Sequence, residues 1–222
     1  MLKSFRGGFT LAEVLITLGI IGVVAAMTMP TLLNSTNGAQ YRTAYKKALS
    51  VLSQAVVLNV ALDDYDLSQT SAGVDADETN IYNLFMNRMN VVKTSAGGGD
   101  GEGWVASNDE TVKFGSKATT GNYTLFFNDG ITFNFNSNDS GCTAGSGNGT
   151  VPEKICYGYI DVNGAKNPNK LVTCDGEAPA DYDKVVNDCT VTNPTDMYPV
   201  KFYDQSILPN SSAAEAVLYG GK

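Results

Sequence analysis

The first part of the chain is almost entirely apolar. After eight residues that include Lys3 and Arg6 but no acid, the 21 residues 9–29 carry a single charge, at Glu13. At about 1.5 Å per residue such a helix is about 31 Å long, close to a bilayer core of about 30 Å. We therefore predict a transmembrane helix over residues 9–29. The basic residues before it predict a cytoplasmic N-terminus, with the rest of the chain outside.

A second pattern follows a polar interval at residues 34–38. Apolar and aromatic residues then recur every three or four positions, which places them on one side of a helix. This stripe consists of Tyr41, Tyr45, Leu49, Leu52, Val56 and Val60. The spacing predicts that one long helix covers residues 9–62. Its amphipathic half is expected to pack on a globular head formed by residues 63–222.

The head contains β-rich runs separated by turn residues. The runs YTLFF and ITFNF, within residues 123–136, flank an Asn-Asp-Gly sequence at 128–130. Asp-Gly between two such runs predicts a tight hairpin. Further strands are predicted over residues 155–162 and 199–204. With the long helix, these elements predict an α+β fold in which the helix packs on a small antiparallel sheet.

Two other segments of the head have simpler patterns. Residues 78–90 have apolar positions at helical spacing, which predicts a short helix. The glycine-rich run at residues 97–103 lacks the Lys-Ser/Thr of a phosphate-binding loop, and no predicted strand precedes it. We predict a loop there.

The four cysteines all lie in the C-terminal part of the chain, at Cys142, Cys156, Cys174 and Cys189. None forms a C-x-x-C pair, so the spacing fits neither a zinc ribbon nor a redox motif, and two disulfides in an oxidising compartment are the simpler interpretation. Of the three possible pairings we favour Cys142–Cys156 and Cys174–Cys189, because each closes a short loop. Each crosslink is then worth about 3 kcal/mol in the loop-entropy description. The C-terminal part of the head is predicted to be a disulfide-tied loop region.

One polar stretch, residues 161–169, has the oxygen-bearing side chains that calcium prefers. The candidate ligands are Asp161, Asn163, Asn167 and Asn169. The stretch has only one carboxylate and does not fit an EF-hand loop, and Asn, Gly and Pro are ordinary turn residues. The turn interpretation is favoured, so no cofactor is expected and calcium stays the alternative.

Charge and composition argue against two classes of function, nucleic-acid binding and enzymatic catalysis. The chain has 15 basic and 23 acidic residues, a net charge of −8, and no histidine. An acidic body does not attract nucleic acid by its overall field. The absence of histidine removes the commonest general base, and no Gly-x-Ser-x-Gly sequence occurs, so an enzyme is not expected.

The N-terminus differs from an ordinary secretory signal, in which the cut follows the apolar run. Here the small pair Gly7-Gly8 precedes that run. Cleavage after Gly8 would remove residues 1–8 and leave the apolar helix on the mature chain, with a new amine on Phe9.

Glu13 is the exceptional residue of the apolar segment, since a charge at the centre of a membrane helix costs about 2.5–3.5 kcal/mol. One interpretation places it near the headgroups, where it is solvated. The favoured one pairs it with the Phe9 amine of a neighbouring subunit. Helices in lipid have no hydrophobic force between them, so this pair would set their axial register.

The run Gly8-Phe9-Thr10-Leu11-Ala12-Glu13, between a basic leader and an apolar segment, resembles the prepilin cleavage and methylation motif of type IV pilins and type II secretion pseudopilins. Pro30 also falls where this family has a helix-bending proline. The resemblance implies cleavage after Gly8 and N-methylation of Phe9 by a membrane-embedded prepilin peptidase. It further implies assembly by an inner-membrane platform with a cytoplasmic ATPase.

Small residues in the apolar segment add one more assembly candidate. Gly19, Gly22 and Ala26 follow a three-then-four spacing that puts them on one face, where small side chains allow close helix approach in membranes. The alternative, that glycine is merely tolerated in a membrane helix, is equally open.

Two functions of different classes follow from the resemblance. The first, which we favour, is a structural subunit of a pilus or a secretion pseudopilus, anchored in the cytoplasmic membrane and then packed among like subunits in an extracellular or periplasmic filament. The second is a minor pilin at a filament tip that binds DNA, a surface or a partner. Loss of Lys3 and Arg6 leaves 13 basic against 23 acidic residues, so no nucleic-acid partner is expected.

Overall fold

The computed structural model describes residues 8–75, 78–97, 100–105, 111–113, 122–147, 149–177 and 185–220. The chain divides into two compact units, Met1–Asn37 and Gly38–Lys222. The second unit therefore starts inside the long helix and includes its C-terminal half.

The helix α1 spans Leu11–Asp63 as 53 continuous helical residues. Pro30 lies within it, although its missing N–H removes one hydrogen bond from the preceding turn. The prediction of one long helix is confirmed. It ends where Asp64 takes a positive φ of 58°, a backbone conformation that helices do not continue.

The second half of α1 buries the predicted stripe. Tyr45, Leu52 and Val56 are at most 1% exposed, and Leu49 is 6% exposed. The outer two members of the stripe, Tyr41 and Val60, are partly exposed. Residues at these spacings lie above one another on one helix face, so a single surface of α1 enters the hydrophobic core.

The main sheet has six antiparallel strands in the spatial order β1-β4-β5-β6-β7-β8. Their bounds are β1 Val91–Gly97, β4 Asn122–Phe127, β5 Thr132–Asn136, β6 Cys156–Asp161, β7 Met197–Tyr203 and β8 Ser206–Pro209. A second, two-stranded sheet pairs β2, Asp100–Val105, with β3, Thr111–Lys113. The predicted hairpin is confirmed as β4–β5, and the strands predicted over residues 155–162 and 199–204 are β6 and β7.

The prediction of a loop over residues 97–103 is wrong for most of that run. Gly97 closes β1, and Asp100–Val105 is a strand that pairs with β3 at Asp100↔Lys113 and Val105↔Thr111. Glycine weakens a strand because it has no side chain to pack. Here the main-chain pairing to β3 decides the conformation, and that pairing cannot be seen in the local sequence.

Two short helices complete the head. The helix α2, Ile81–Arg88, confirms the one predicted over residues 78–90. It is capped by Asn80, whose side chain accepts a hydrogen bond from the main-chain N–H of Asn83. The helix α3, Ser212–Tyr219, was not predicted, and Ser211 caps it in the same way through Ala214.

The core joins α1 and α2 to the main sheet through aromatic contacts, and α3 adds Ala213, Ala214 and Val217 to it. Tyr45 stacks on Tyr198 with ring centroids 3.9 Å apart, and Phe85 meets Phe133 edge-on at 5.1 Å. Gly158 leaves room for this packing, since a Cβ there would lie 2.5 Å from the carbonyl oxygen of Asn134.

Two disulfides tie the C-terminal part of the head. Cys142 is bonded to Cys156 with Cα atoms 5.6 Å apart, and Cys174 to Cys189 with Cα atoms 5.3 Å apart. This is the pairing that short loop closure favours. With the long helix and the antiparallel sheet, it confirms the predicted α+β architecture.

Candidate processing and assembly site

The predicted cleavage point lies immediately before α1. Gly8, Phe9 and Thr10 are exposed and have no regular secondary structure. The Phe9 side chain is 91% exposed, and no atom lies within 4 Å of the position that a Cβ on Gly8 would occupy. Exposed, non-helical backbone of this kind is where proteases cut most readily. The leader residues 1–7 lie outside the described residues.

Glu13 is held by Thr10 at the start of α1. The main-chain N–H and the hydroxyl of Thr10 both donate to Oε2 of Glu13, at 2.8 Å and 2.9 Å. In return, the main-chain N–H of Glu13 donates to Oγ1 of Thr10 at 3.3 Å. This reciprocal pattern is a capping box, and a carboxylate there also interacts favourably with the helix dipole. The carboxylate is thereby turned back toward Thr10 at the N-terminal end of the helix.

The segment Leu11–Pro30 is long and apolar enough to cross a membrane, and none of it is buried within its own chain. Its other polar side chains, Thr17 and Thr28, each bond to the helix itself. The hydroxyl of Thr17 donates to the carbonyl of Glu13 at 2.9 Å, and that of Thr28 to the carbonyl of Val24 at 3.0 Å. The segment therefore exposes apolar atoms while satisfying its hydroxyls internally, as a lipid environment requires.

The remaining assembly candidates lie on open helix surface. No atom of the described chain lies within 4 Å of the Cβ positions of Gly19 or Gly22, and Pro30 is exposed. No described residue packs against Gly19 or Gly22, and the role of all three positions in helix packing stays a prediction.

The polar stretch at residues 161–169 forms a turn at the end of β6. Asp161 is 1% exposed, and its Oδ1 accepts a hydrogen bond from the N–H of Asn163 at 3.0 Å. The Asn163 amide lies 3.4 Å from the carbonyl oxygen of Asn167, whose own side chain is exposed. Asn169 is buried and contributes its main-chain N–H to another residue, Asp196. The structure thus brings Asp161 and Asn163 together but not the side chain of Asn167.

Sequence reasoning missed Asp196, which is fully buried. Its carboxylate accepts hydrogen bonds from the N–H groups of Asn169 and Lys170, both at 2.8 Å. Asp196 lies near Asp161 because Asp161 pairs with Met197 in the β6–β7 register, and Asp196 is the residue before Met197. Burial and the nearby charge of Asp196 raise the pKa of Asp161 to about 8. No local sequence signal connects these two residues.

Metal-binding side chains are sparse in the part of the chain that the structure describes. Within it, no group of three or more His, Cys, Asp or Glu side chains is placed to hold a metal ion. Any cation near Asp161 and Asp196 would therefore depend on neutral oxygens as well as these carboxylates.

Comparison with known proteins identifies the N-terminal segment. Residues 3–29 match the family model described as the prokaryotic N-terminal methylation motif. No curated protein and no solved structure matches the chain significantly. The motif is that of structural pilin-like subunits and not of an enzyme class. This signature, which sits where the predicted cleavage point meets the apolar helix, is that of type IV pilin and pseudopilin precursors.

Proposed function

We propose that the chain is a structural subunit of a type IV pilus or a type II secretion pseudopilus that assembles through α1. The observation that carries this proposal is the segment Leu11–Pro30, whose apolar side chains are exposed and which lies almost entirely within the matched methylation motif. Apolar surface of this extent marks a membrane or protein contact. The bilayer covers it before assembly, and the helices of like subunits cover it afterwards.

Processing fits the geometry of the first residues. A prepilin peptidase cuts the exposed backbone after Gly8 and methylates the new amine of Phe9. Methylation keeps the positive charge, so the amine still pairs with a carboxylate. The capping box orients Glu13 toward the end of the helix where such an amine arrives. Thr10 therefore prepares Glu13 for the Phe9 of a neighbouring subunit.

Orientation follows from charge and chemistry on either side of the segment. Lys3 and Arg6 hold the N-terminus in the cytoplasm. The head then lies outside the cytoplasmic membrane, in a compartment where the two disulfides form. An inner-membrane assembly platform draws the subunit from the bilayer into the filament.

Mass spectrometry of the protein from its native membrane tests the processing step. We expect a chain that begins at Phe9 with one added methyl group and retains residues 9–29. A substitution at the cleavage point, Gly8→Val, should leave the leader attached, whereas Gly7→Val should be processed. An intact Met1 in the wild type, or a cut beyond Met29, would contradict the proposal.

A further inference from the structure

The last turns of α1 have an unusual composition for a helix at a protein surface. The 15 residues 48–62 contain no charged side chain. Residues 55–62 are apolar apart from Asn59, and Asn59 is itself buried. A helix with one face in water has charged or polar side chains on that face, whereas a helix that is apolar all round is buried. The end of α1 therefore has the composition of a helix that is covered on both sides.

Only one side of these turns is covered by the head. Val56, on the side of the buried stripe, has no exposed surface. On the opposite side, Val57, Leu58 and Leu62 are 53%, 50% and 67% exposed, and Ala61 is exposed as well. Residues four apart are neighbours on a helix surface, so these four side chains form one contiguous apolar surface. We call Val57, Leu58, Ala61 and Leu62 the outer patch.

The outer patch differs from the other exposed apolar side chains of the head. Elsewhere in the described strands and helices of the head, large side chains of this kind occur once per element, as with Val92 in β1, Tyr157 in β6 and Tyr219 in α3. Apolar residues exposed singly are normal at a protein surface, but a contiguous patch marks a site of contact. The outer patch therefore requires a partner.

The absence of charge indicates which partner fits. Burying a charged group against an apolar surface is costly, so the partner must itself be apolar and uncharged. The chain has two uncharged runs of 15 residues or more, at 48–62 and at 14–41, and the second contains most of the segment Leu11–Pro30. None of that segment is buried in its own copy. The same chain thus supplies both the apolar patch and an apolar surface that matches it.

We propose that the outer patch is the docking surface for the segment Leu11–Pro30 of a second copy of the chain. This inference rests on the proposed filament function and adds the surface of the head that receives a neighbour. The patch belongs to the disulfide-bonded head, which lies outside the bilayer in the proposed orientation, so lipid does not cover it. The contact joins two different surfaces of the chain. Contacts of this heterologous kind generate open filaments when the rotation between copies does not close a ring.

Substitution within the outer patch tests whether it is a contact. Leu58→Gln keeps a good helix former of similar length and removes apolar surface. Because Leu58 is half exposed, the Tm of the head in detergent should change by less than about 2 °C. Incorporation into sheared filaments should fall about tenfold or more. Val151→Gln, at an apolar residue of the head that is similarly exposed, should be incorporated normally.

Two results would overturn the role of the patch. One is incorporation of Leu58→Gln at the level of Val151→Gln. The other is a large fall in the Tm of Leu58→Gln, which would mean that the patch packs on its own head.

Crosslinking identifies the occupant. The four native cysteines are all in disulfides, so an introduced cysteine is the one free thiol of its copy. Leu58→Cys is coexpressed with a differently tagged copy that carries Ile16→Cys, Ile20→Cys or Val24→Cys, and sheared filaments are oxidised with copper phenanthroline. We expect a mixed dimer with at least one of the three, and none when Val151→Cys replaces Leu58→Cys. No crosslink, or a crosslink of Leu58→Cys only to itself or to a different protein, would overturn the assignment of the occupant.

The wild-type chain separates failure of this inference from failure of the proposed function. If the wild type and Leu58→Gln are both present in sheared filaments at equal levels, the outer patch is dispensable and the structural function stands. If the wild type itself is absent from sheared filaments, the structural function fails and the docking surface fails with it.

Discussion

The two halves of α1 have the same backbone conformation but bury their apolar side chains differently. None of the segment Leu11–Pro30 is buried in its own chain, whereas Tyr45 and Val56 in the second half have no exposed surface. Full burial of such a side chain contributes about 1.5–3 kcal/mol. The second half therefore obtains its stabilisation from its own head. The first half must obtain its stabilisation from lipid or from other subunits.

The largest effect should come from a charge placed in the second half. Val56→Asp puts an unpaired carboxylate at a position with no exposed surface, which costs several kcal/mol and should abolish the folded head. Val57→Asp, on the neighbouring position that is 53% exposed, should change stability by less than about 0.5 kcal/mol. Limited proteolysis of the full chain in detergent measures both. Equal sensitivity of the two variants would refute the difference in burial.

A charge in the first half of α1 should impair membrane insertion and leave the stability of the head unchanged. Val24→Asp lies in the apolar segment, none of which is buried in its own chain, so the melting temperature of the head in detergent should not change. Insertion into the membrane should fall, since an acid at the centre of a spanning helix costs about 2.5–3.5 kcal/mol. Membrane fractionation checks this result. A lower melting temperature of the head with normal membrane retention would contradict the assignment of the first half of α1 to the membrane and of the second half to the head.

Glu13→Val should separate processing from assembly. The variant loses the carboxylate that receives a neighbour's amine, but the exposed backbone at Gly8 is unchanged. We expect normal cleavage and a drop of about tenfold or more in filament incorporation, equivalent to about 1.4 kcal/mol or more. Immunoblots of sheared filaments and of whole cells give the two quantities. Thr10→Ser, which keeps a hydroxyl for the capping box, is the control. Normal incorporation of Glu13→Val would show that the charge pair is dispensable.

Removal of one disulfide should affect the head alone. Replacement of Cys174 and Cys189 together by Ala should lower the free energy of unfolding by about 3 kcal/mol, as expected for a loop of this length. Denaturant unfolding in detergent measures that loss. Membrane retention of the precursor should be unaffected, because the apolar segment lies outside this loop. Loss of both properties together would mean that the two units are not independent.

The smallest effect concerns the hydroxyl of Tyr45, which is buried without a hydrogen-bond partner although the ring stacks on Tyr198. Tyr45→Phe keeps the stack and removes the unsatisfied group, so it should stabilise the head by about 1 kcal/mol. Tyr41→Phe is the control, since that hydroxyl accepts a weak contact from Asn163. Destabilisation by Tyr45→Phe in denaturant unfolding would contradict this account.

Alkaline pH gives a second readout of the same residue. Burial raises the pKa of Tyr45 well above its usual value. The folded-state pKa exceeds the unfolded value of about 10. The neutral Tyr45 hydroxyl therefore makes its full contribution to the free energy of unfolding below pH 10. It is lost as the pH rises above 10. The wild type should therefore lose more stability than Tyr45→Phe between pH 9 and about 11.

Much of the fold could be read from the sequence because it depends on local pattern. The apolar run, the stripe from Tyr41 to Val60 and the Asp129-Gly130 turn each specify their element through side chains close in the chain. The capping role of Thr10 was missed, although Thr10 and Glu13 fit the spacing of a capping box.

The parts that could not be read depend on contacts between distant segments. The glycine-rich strand β2 is held by β3, and β8 is held by β7. Asp196 approaches Asp161 only through the pairing of β6 with β7. In each case the local residues are compatible with a loop or a turn, and tertiary pairing decides the conformation.

The hydroxyls of Thr17 and Thr28 have a consequence for how the subunit changes surroundings. Each donates to a carbonyl one turn earlier in the same helix. Moving α1 from lipid into a sheath of protein, or back again, therefore breaks no hydrogen bond at either residue. For a subunit that assembles as proposed, extraction and return along the same path therefore meet no polar barrier from these two side chains.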